Sequence, residues 1–391
     1  MSLPQRMLAR VALAELLGMT LWFTATAASP ALVREFGLGS AGLAWLTMAV
    51  QAGFVTGTLV TALTNLADAI NARRLFALGC LAGAAANAAI VVAPSASIII
   101  PLRFLTGVAL AWVYPPGMKI AAGWFLERRG TALGIIVGAV GLGSAFPHLL
   151  AWLGASLAWR ALIVTSSALA VTGALIVTFA VTDGPHVSAS APFDRHALRV
   201  VLASRGTRLA MLGYFGHMWE LYAMWTWIAA FATASLAERA TPGVGSLVAF
   251  VAFTSGAAGC VFAGRWADDF GKARVAAAAM LASAVCALLT PVFYGTSLVP
   301  LLGLAVVWGF TIVADSAQFS ALVTDHTART HVGTALTLQT SAGFLLTMVS
   351  MRLVPPLSAA AGWQWAFVFL APGPLLGVLA MRALNRNRIP L

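Results

Sequence analysis

The chain reads as a succession of long apolar runs separated by short polar breaks. Twelve stretches of roughly 20 predominantly apolar residues, each long enough as a helix to cross a bilayer's ~30 Å hydrocarbon core, fall at about 8–28, 40–63, 74–93, 98–121, 131–153, 158–180, 208–232, 244–264, 274–293, 297–320, 333–356 and 363–384. Backbone groups in hydrocarbon must pair within their own segment, so each run predicts a helix. The pattern predicts an all-α membrane protein with both termini on one side.

Composition agrees: of 391 residues 60% are hydrophobic and 9% charged, against about 25% charged in soluble proteins. The net charge of +11 is scattered in ones and twos, with no dense patch to track phosphates, so no nucleic acid partner is expected. Of the 23 lysines and arginines, seventeen fall in segments on the side of the termini, and Arg34, Arg160, Arg239 and Arg352 on the other. Arg103 and Lys119 lie inside spans. Positively charged loops stay in the cytoplasm, which predicts a multi-pass protein of a bacterial inner membrane with both termini cytoplasmic. Arg6 and Arg10 before an apolar stretch imitate a signal peptide, but Glu15 interrupts the run and no cleavage is expected. Cys80, Cys260 and Cys286 lack metal-ligand spacing and read as packing residues.

The chain also repeats itself. Glu15, Leu16, Met19 and Trp22 return as Glu220, Leu221, Met224 and Trp227, 205 residues later. The sequence Gly-Thr-Ala-Leu at 130–133 returns at 333–336, Trp159 is echoed by Trp363, and Asp68 by Asp268. Residues 1–182 and 208–391 are therefore expected to be two six-helix bundles related by an axis along the membrane normal. Residues 183–207, polar and broken by Pro185 and Pro192, form a cytoplasmic linker. It reads either as a tether or as a short amphipathic helix capped by Asp194 and running through Leu202.

Gly264, Arg265, Asp268, Gly271, Lys272 and Arg274 after the eighth span resemble the cytoplasmic signature of the Major Facilitator Superfamily. A degraded copy follows the second span, with Asp68, Arg73 and Arg74 kept but Thr64 and Asn71 where the family usually has glycine. Arg103, in Arg-Phe-Leu-Thr-Gly, looks like that family's fourth-helix arginine. The resemblance implies twelve transmembrane helices in two pseudo-symmetric bundles, with helices 1, 4, 7 and 10 lining a central cavity. It also implies gating by Asp68, Arg73, Gly264, Arg265, Asp268, Gly271 and Lys272 through pairing between the halves. Gly134, Gly138, Gly141 and Gly143 with Pro147 give the fifth helix a fainter likeness to nitrate and nitrite porters. The second and eighth spans, with Gln51, lack those porters' anion-binding arginines.

Ionisable side chains inside a span cost at least ~2.5 kcal/mol on insertion scales and mark cavities or partners. Here they are Glu15, Arg103, Lys119, Glu220 and Asp315, with His148 and His217. By the resemblance, the first five lie on the four cavity-lining helices. Glu15, Met19 and Trp22 are spaced to share one helical face, as are Glu220, Met224 and Trp227, with His217 one turn before Glu220. The twofold would set these faces opposite one another, and Tyr114 joins the cavity lining. The structural alternatives are packing hydrogen bonds for the glutamates and snorkelling for Arg103 and Lys119. The reading is a secondary active transporter of a small polar organic solute, working by alternating access and coupled to protons. The alternatives are a small-anion porter, nitrate-like or for organic anions, using Arg103 and Lys119, and a non-transporting membrane sensor on the same fold. No nucleotide loop, convergent nucleophile and base, or metal cluster is seen, so neither enzyme activity nor a cofactor is expected. The expected partners are the solute or ion, protons and the lipid bilayer, with the chain acting as a monomer.

Overall fold

The structure, a computed structural model, describes residues 1–125, 129–154, 158–186 and 198–386, and all secondary structure among them is helical. Among the described residues, ten helical stretches are long and apolar enough to cross a membrane: Ala41–Leu63, Ala72–Val92, Ala96–Ala122, Gly130–Leu153, Trp159–Ala180, Val244–Phe270, Lys272–Phe293, Leu298–His326, Val332–Ala361 and Trp363–Arg386. The two expected spans outside this set are the first and the seventh, which carry Glu15 and Glu220. The first is cut short, because its helix ends at Met19. The seventh runs unbroken for 32 residues, but its histidine, tyrosine, tryptophan and carboxylate dilute its apolar character. Phe179, Val299 and Leu376 stand 82%, 77% and 65% exposed, which suits a surface bathed in lipid rather than water.

The chain divides into two compact units, Met1–Ala189 with Thr241–Phe250, and Ser190–Ala240 with Val251–Leu391. The first unit contains α1 (Leu3–Met19), α2 (Thr24–Ala27), α3 (Ser29–Phe36), α4 (Ser40–Leu63), α5 (Leu66–Ala69), α6 (Ala72–Ala89), α7 (Ala96–Leu110), α8 (Tyr114–Ala122), α9 (Arg129–Leu153) and α10 (Trp159–Ala180). Two of its spans are interrupted. Thr20–Phe23 separate α1 from α2, so Trp22 leaves the helical face it was expected to share with Glu15 and Met19. Ala111–Val113 separate α7 from α8, because Pro115 and Pro116 open α8 and a proline has no amide hydrogen to continue a helix from the turn before it.

The second unit contains α11 (Leu198–Ala203), α12 (Arg205–Leu236), most of α13 (Val244–Phe270), α14 (Lys272–Phe293), α15 (Leu298–Ala314), α16 (Ser316–His326), α17 (Val332–Ala361) and α18 (Pro372–Arg386). Asp315 alone separates α15 from α16. The helix expected in the linker is α11, while Asp194 lies outside the described residues. Ser204 caps α12 by accepting from the Thr207 amide.

The internal repeat has a packing counterpart. A Cβ on Gly107 of α7 would overlap the Val50 carbonyl of α4, and one on Gly57 would press on the Val108 carbonyl. Exactly 202 residues on, a Cβ on Gly309 of α15 would overlap the Ala252 carbonyl of α13, and one on Gly259 the Phe310 carbonyl. In each unit the glycines let two helix backbones touch where any side chain would hold them apart.

Candidate functional site

α1 is gripped closely in the first unit. Gly143 of α9 packs on its Leu16 carbonyl, Gly173 of α10 on its Ala14 carbonyl, and Gly117 of α8 on the carboxylate of Glu15. Glu15 is fully buried, and neither of its oxygens has a hydrogen-bond partner among the described residues. Among the described residues, then, an ionised Glu15 has no donor.

Arg103 is also fully buried, which rules out snorkelling. It donates from Nη1 to the Leu21 carbonyl (2.9 Å) and from Nη2 to the Trp22 carbonyl, both in the interruption of the first span. Its Nε donates to the Leu46 carbonyl (3.1 Å), and Nη1 also reaches Asn87 Oδ1 (3.4 Å). Asn87 in turn donates to Ser167 Oγ (3.0 Å) and the Ile163 carbonyl (3.2 Å). The guanidinium fork thus acts as the cap for a broken helix, a task that needs several donors in one plane. Trp22 lies beside Phe54, ring centroids 5.1 Å apart. Tyr114 and Lys119 are half-buried on α8.

The second unit holds the richest polar cluster. α12 places His217 and Glu220 one turn apart, both almost fully buried. Glu220 accepts from Trp308 Nε1 and from Ser283 Oγ, each at 2.7 Å. Ser283 Oγ has a second acceptor in reach, the Met280 carbonyl at 3.2 Å. The indole can only donate, whereas a hydroxyl can donate or accept. With an ionised Glu220 the serine donates to the carboxylate. With a protonated Glu220 it turns to Met280 and accepts the acid's hydrogen, while Trp308 still donates to the other oxygen. Both states are satisfied without moving a heavy atom.

The histidine expected to work with Glu220 has a different neighbour. His217 Nδ1 lies 2.8 Å from Asp315 Oδ1, off the line of a good hydrogen bond, and Nε2 is 3.1 Å from Ser316 Oγ. Asp315, in the break between α15 and α16, is 2% exposed. Trp227 donates to the Met351 carbonyl at 3.0 Å. Ser283 and Trp308, the hydrogen-bond partners of Glu220, both belong to its own unit.

The loop residues expected to gate are partly engaged within their own units. Arg73 forks onto Asp183 (Nε–Oδ1 and Nη2–Oδ2 both 3.0 Å) and donates to the Val181 carbonyl. The Arg73 hydrogen bonds, then that from Asn71, hold the Asp183 carboxyl below the usual range. Lys272 pairs with Asp325 at 2.7 Å. Arg265 and Asp268 are exposed, and Gly264 has open space around it. Gly271 starts α14 at φ 89°, a conformation that favours glycine. The side chain of Asp68 lies outside the described residues. On the opposite side of the first unit, Glu35 takes hydrogen bonds from Arg160 Nη2 and, at 2.6 Å, Trp159 Nε1, which hold its carboxyl below the usual range.

Ser283, Asn87 and Gln339 were missed from the sequence. Each is a single polar residue in an apolar run, and Gln339 is fully buried with no partner for its side-chain amide among the described residues.

With all secondary structure among the described residues helical, ten such stretches and ionisable side chains buried within the spans, this is a multi-pass membrane protein. Residues 11–240 and 210–390 each match the sequence profile of the Major Facilitator Superfamily. The chain belongs to that family. No curated protein matches it by sequence. Among solved structures, the human organic anion transporter MFSD10 (TETRAN) is similar at 17% identity and a TM-score of 0.73, over 97% of this chain and 100% of that one. A mutant form of the nucleoside transporter NupG is similar at 15% identity and a TM-score of 0.73, over 97% of this chain and 99% of that one. At these identities the likeness is one of fold.

Proposed function

We propose that this protein is a proton-coupled secondary active transporter for a small polar organic solute. In this reading twelve spans form two six-helix halves, 1–182 and 208–391, which are joined by the 183–207 linker and rock about a midplane site. Both termini face the cytoplasm of a bacterial inner membrane. The observation that carries the reading is Glu220, a fully buried carboxylate whose neighbours satisfy it in either protonation state. A residue kept only for packing needs one state, whereas a proton carrier must be at home in both. His217 and Asp315, one turn away on α12 and at the break of the tenth span, supply the polar groups for solute or for a second proton.

The solved structures of similar fold include transporters named for organic anions and for nucleosides. A nucleoside is a small polar organic solute, in keeping with the reading, whereas an organic anion fits the small-anion alternative. A small-anion porter built on Arg103 is less well supported, because the Arg103 donors already serve three backbone carbonyls and Asn87.

The test is a panel of amines, zwitterions, nucleosides and organic anions screened by melting temperature on the purified protein, since a ligand of the folded state raises it by mass action. Hits are then assayed in vesicles with an imposed pH gradient. Accumulation that follows the gradient and collapses with a protonophore supports the proposal; uptake that ignores the gradient removes proton coupling.

A further inference from the structure

α14 and α18 pack against each other and leave a groove of about 380 Å³ between them. Its two ends differ in chemistry. At one, Arg274 near the start of α14 and Arg382 and Arg386 near the end of α18 crowd together with Asn385; the rest is walled by residues such as Ala278 and Leu281. Arg382 and Arg386 are four apart and share one face of α18. Leu281 lies seven residues beyond Arg274, or ~10 Å along the helix axis. A cationic mouth thus opens onto an apolar trough that descends along two membrane-spanning helices.

The three arginines are exposed, and none has an ion-pair or side-chain hydrogen-bond partner among the described residues. Arg73, Arg103, Arg160 and Arg239, by contrast, are engaged on Asp183, backbone carbonyls, Glu35 and the Gly295 carbonyl, and what distinguishes Arg274, Arg382 and Arg386 from other exposed arginines is that they line one groove. The acid on neighbouring α16, Asp325, is held by Lys272. Three guanidiniums lining one groove end, none of them in an ion pair among the described residues, call for an anion with several oxygens. The trough below them calls for a hydrocarbon chain attached to it.

We infer that this groove is a binding site for an anionic phospholipid, its phosphodiester on Arg274, Arg382 and Arg386 and one acyl chain along Ala278 and Leu281. Basic pockets between membrane helices hold such headgroups, and each basic residue near an anionic surface contributes enough to change affinity about fivefold. The inference needs only the membrane setting and is independent of the transport reading.

The test is lipid retention by the purified full chain, read by native mass spectrometry after incubation with mixed dioleoyl phosphatidylglycerol and dioleoyl phosphatidylcholine. The expected result is preferential retention of phosphatidylglycerol. That retention should fall about fivefold for each of Arg274→Gln, Arg382→Gln and Arg386→Gln, and about a hundredfold when they are combined. A variant with the same loss of charge at exposed Arg6, Arg199 and Arg205 should keep it. Ala278→Leu, which fills the trough and leaves the charge intact, should also lower retention, and inorganic phosphate should not compete. Equal loss in the two triple variants, equal retention of the two lipids, or displacement by phosphate would overturn the inference. If the triple variant does not fold, the single substitutions and Ala278→Leu make the same comparison.

Discussion

Arg103→Lys separates a structural arginine from a ligand-binding one. The guanidinium reaches the Leu21 and Trp22 carbonyls from two different nitrogens, plus Leu46 and Asn87. A lysine keeps the charge but carries one nitrogen, which can serve only part of this set. Leu46 lies within α4, where helical pairing remains open to its carbonyl. The carbonyls of the interruption between α1 and α2 depend more on the fork. One buried carbonyl losing its donor costs ~1–3 kcal/mol. In a unit of this size each kcal/mol shifts the melting temperature by ~2–4 °C, so Arg103→Lys should lower it by ~2–12 °C. Arg103→Met strips the donor from both carbonyls, a gross cost of ~2–6 kcal/mol, reduced by no longer burying a charge. Melting of the purified variants, followed by tryptophan fluorescence with and without a ligand from the screen, measures this. The ligand-induced rise should match wild type in Arg103→Lys. A variant with wild-type melting but no ligand-induced rise would refute the reasoning and return Arg103 to the binding site.

Gly107→Ala and Gly309→Ala, which occupy repeated positions and each meet a backbone carbonyl, should each destabilise by ~1–3 kcal/mol through overpacking, while Gly264→Ala, with open space around it, should be near neutral by the same melting assay. Asp183 has a depressed carboxyl pKa, so its stabilising contribution is fully present above the ordinary value near 3.8 and fades as pH falls through the folded value; a melting-temperature profile taken downward from pH 5 should lose stability there, and Asp183→Asn should flatten it. His217→Gln and Asp315→Asn should each reduce transport, and the double variant should be no worse than the more impaired single variant, because the two groups are in contact; additive losses measured in vesicles would show that they act separately.

The existence of most spans was legible because a membrane imposes a length and a polarity that local sequence must obey, and the repeat was legible because duplication preserves spacing. The interruptions were less so. Pro115 and Pro116 announce one of them, but Thr20–Phe23 contain neither proline nor glycine, and what allows the chain to leave the helix there is Arg103, more than eighty residues away. Glu220, His217 and Asp315 stood out from the sequence because an ionisable group in an apolar run is conspicuous. Their pairing did not, since His217 meets Asp315 only through the packing of α12 against the broken tenth span. Ser283 was invisible for the opposite reason, since a lone serine in a helix costs little and means little until a carboxylate is found beside it.

The central claim is that Glu220 carries the coupling proton, and Glu220→Gln tests it most directly. The amide fits the same neighbours: its oxygen accepts from Trp308 and its nitrogen donates to Ser283, which is free to turn toward the Met280 carbonyl. It therefore imitates the protonated acid at these two contacts, while its second N–H, which the acid lacks, needs an acceptor of its own, so stability should fall by up to ~1–3 kcal/mol. In vesicles, the account predicts that Glu220→Gln retains counterflow exchange of solute while losing accumulation driven by a pH gradient. Wild-type accumulation in Glu220→Gln would contradict it.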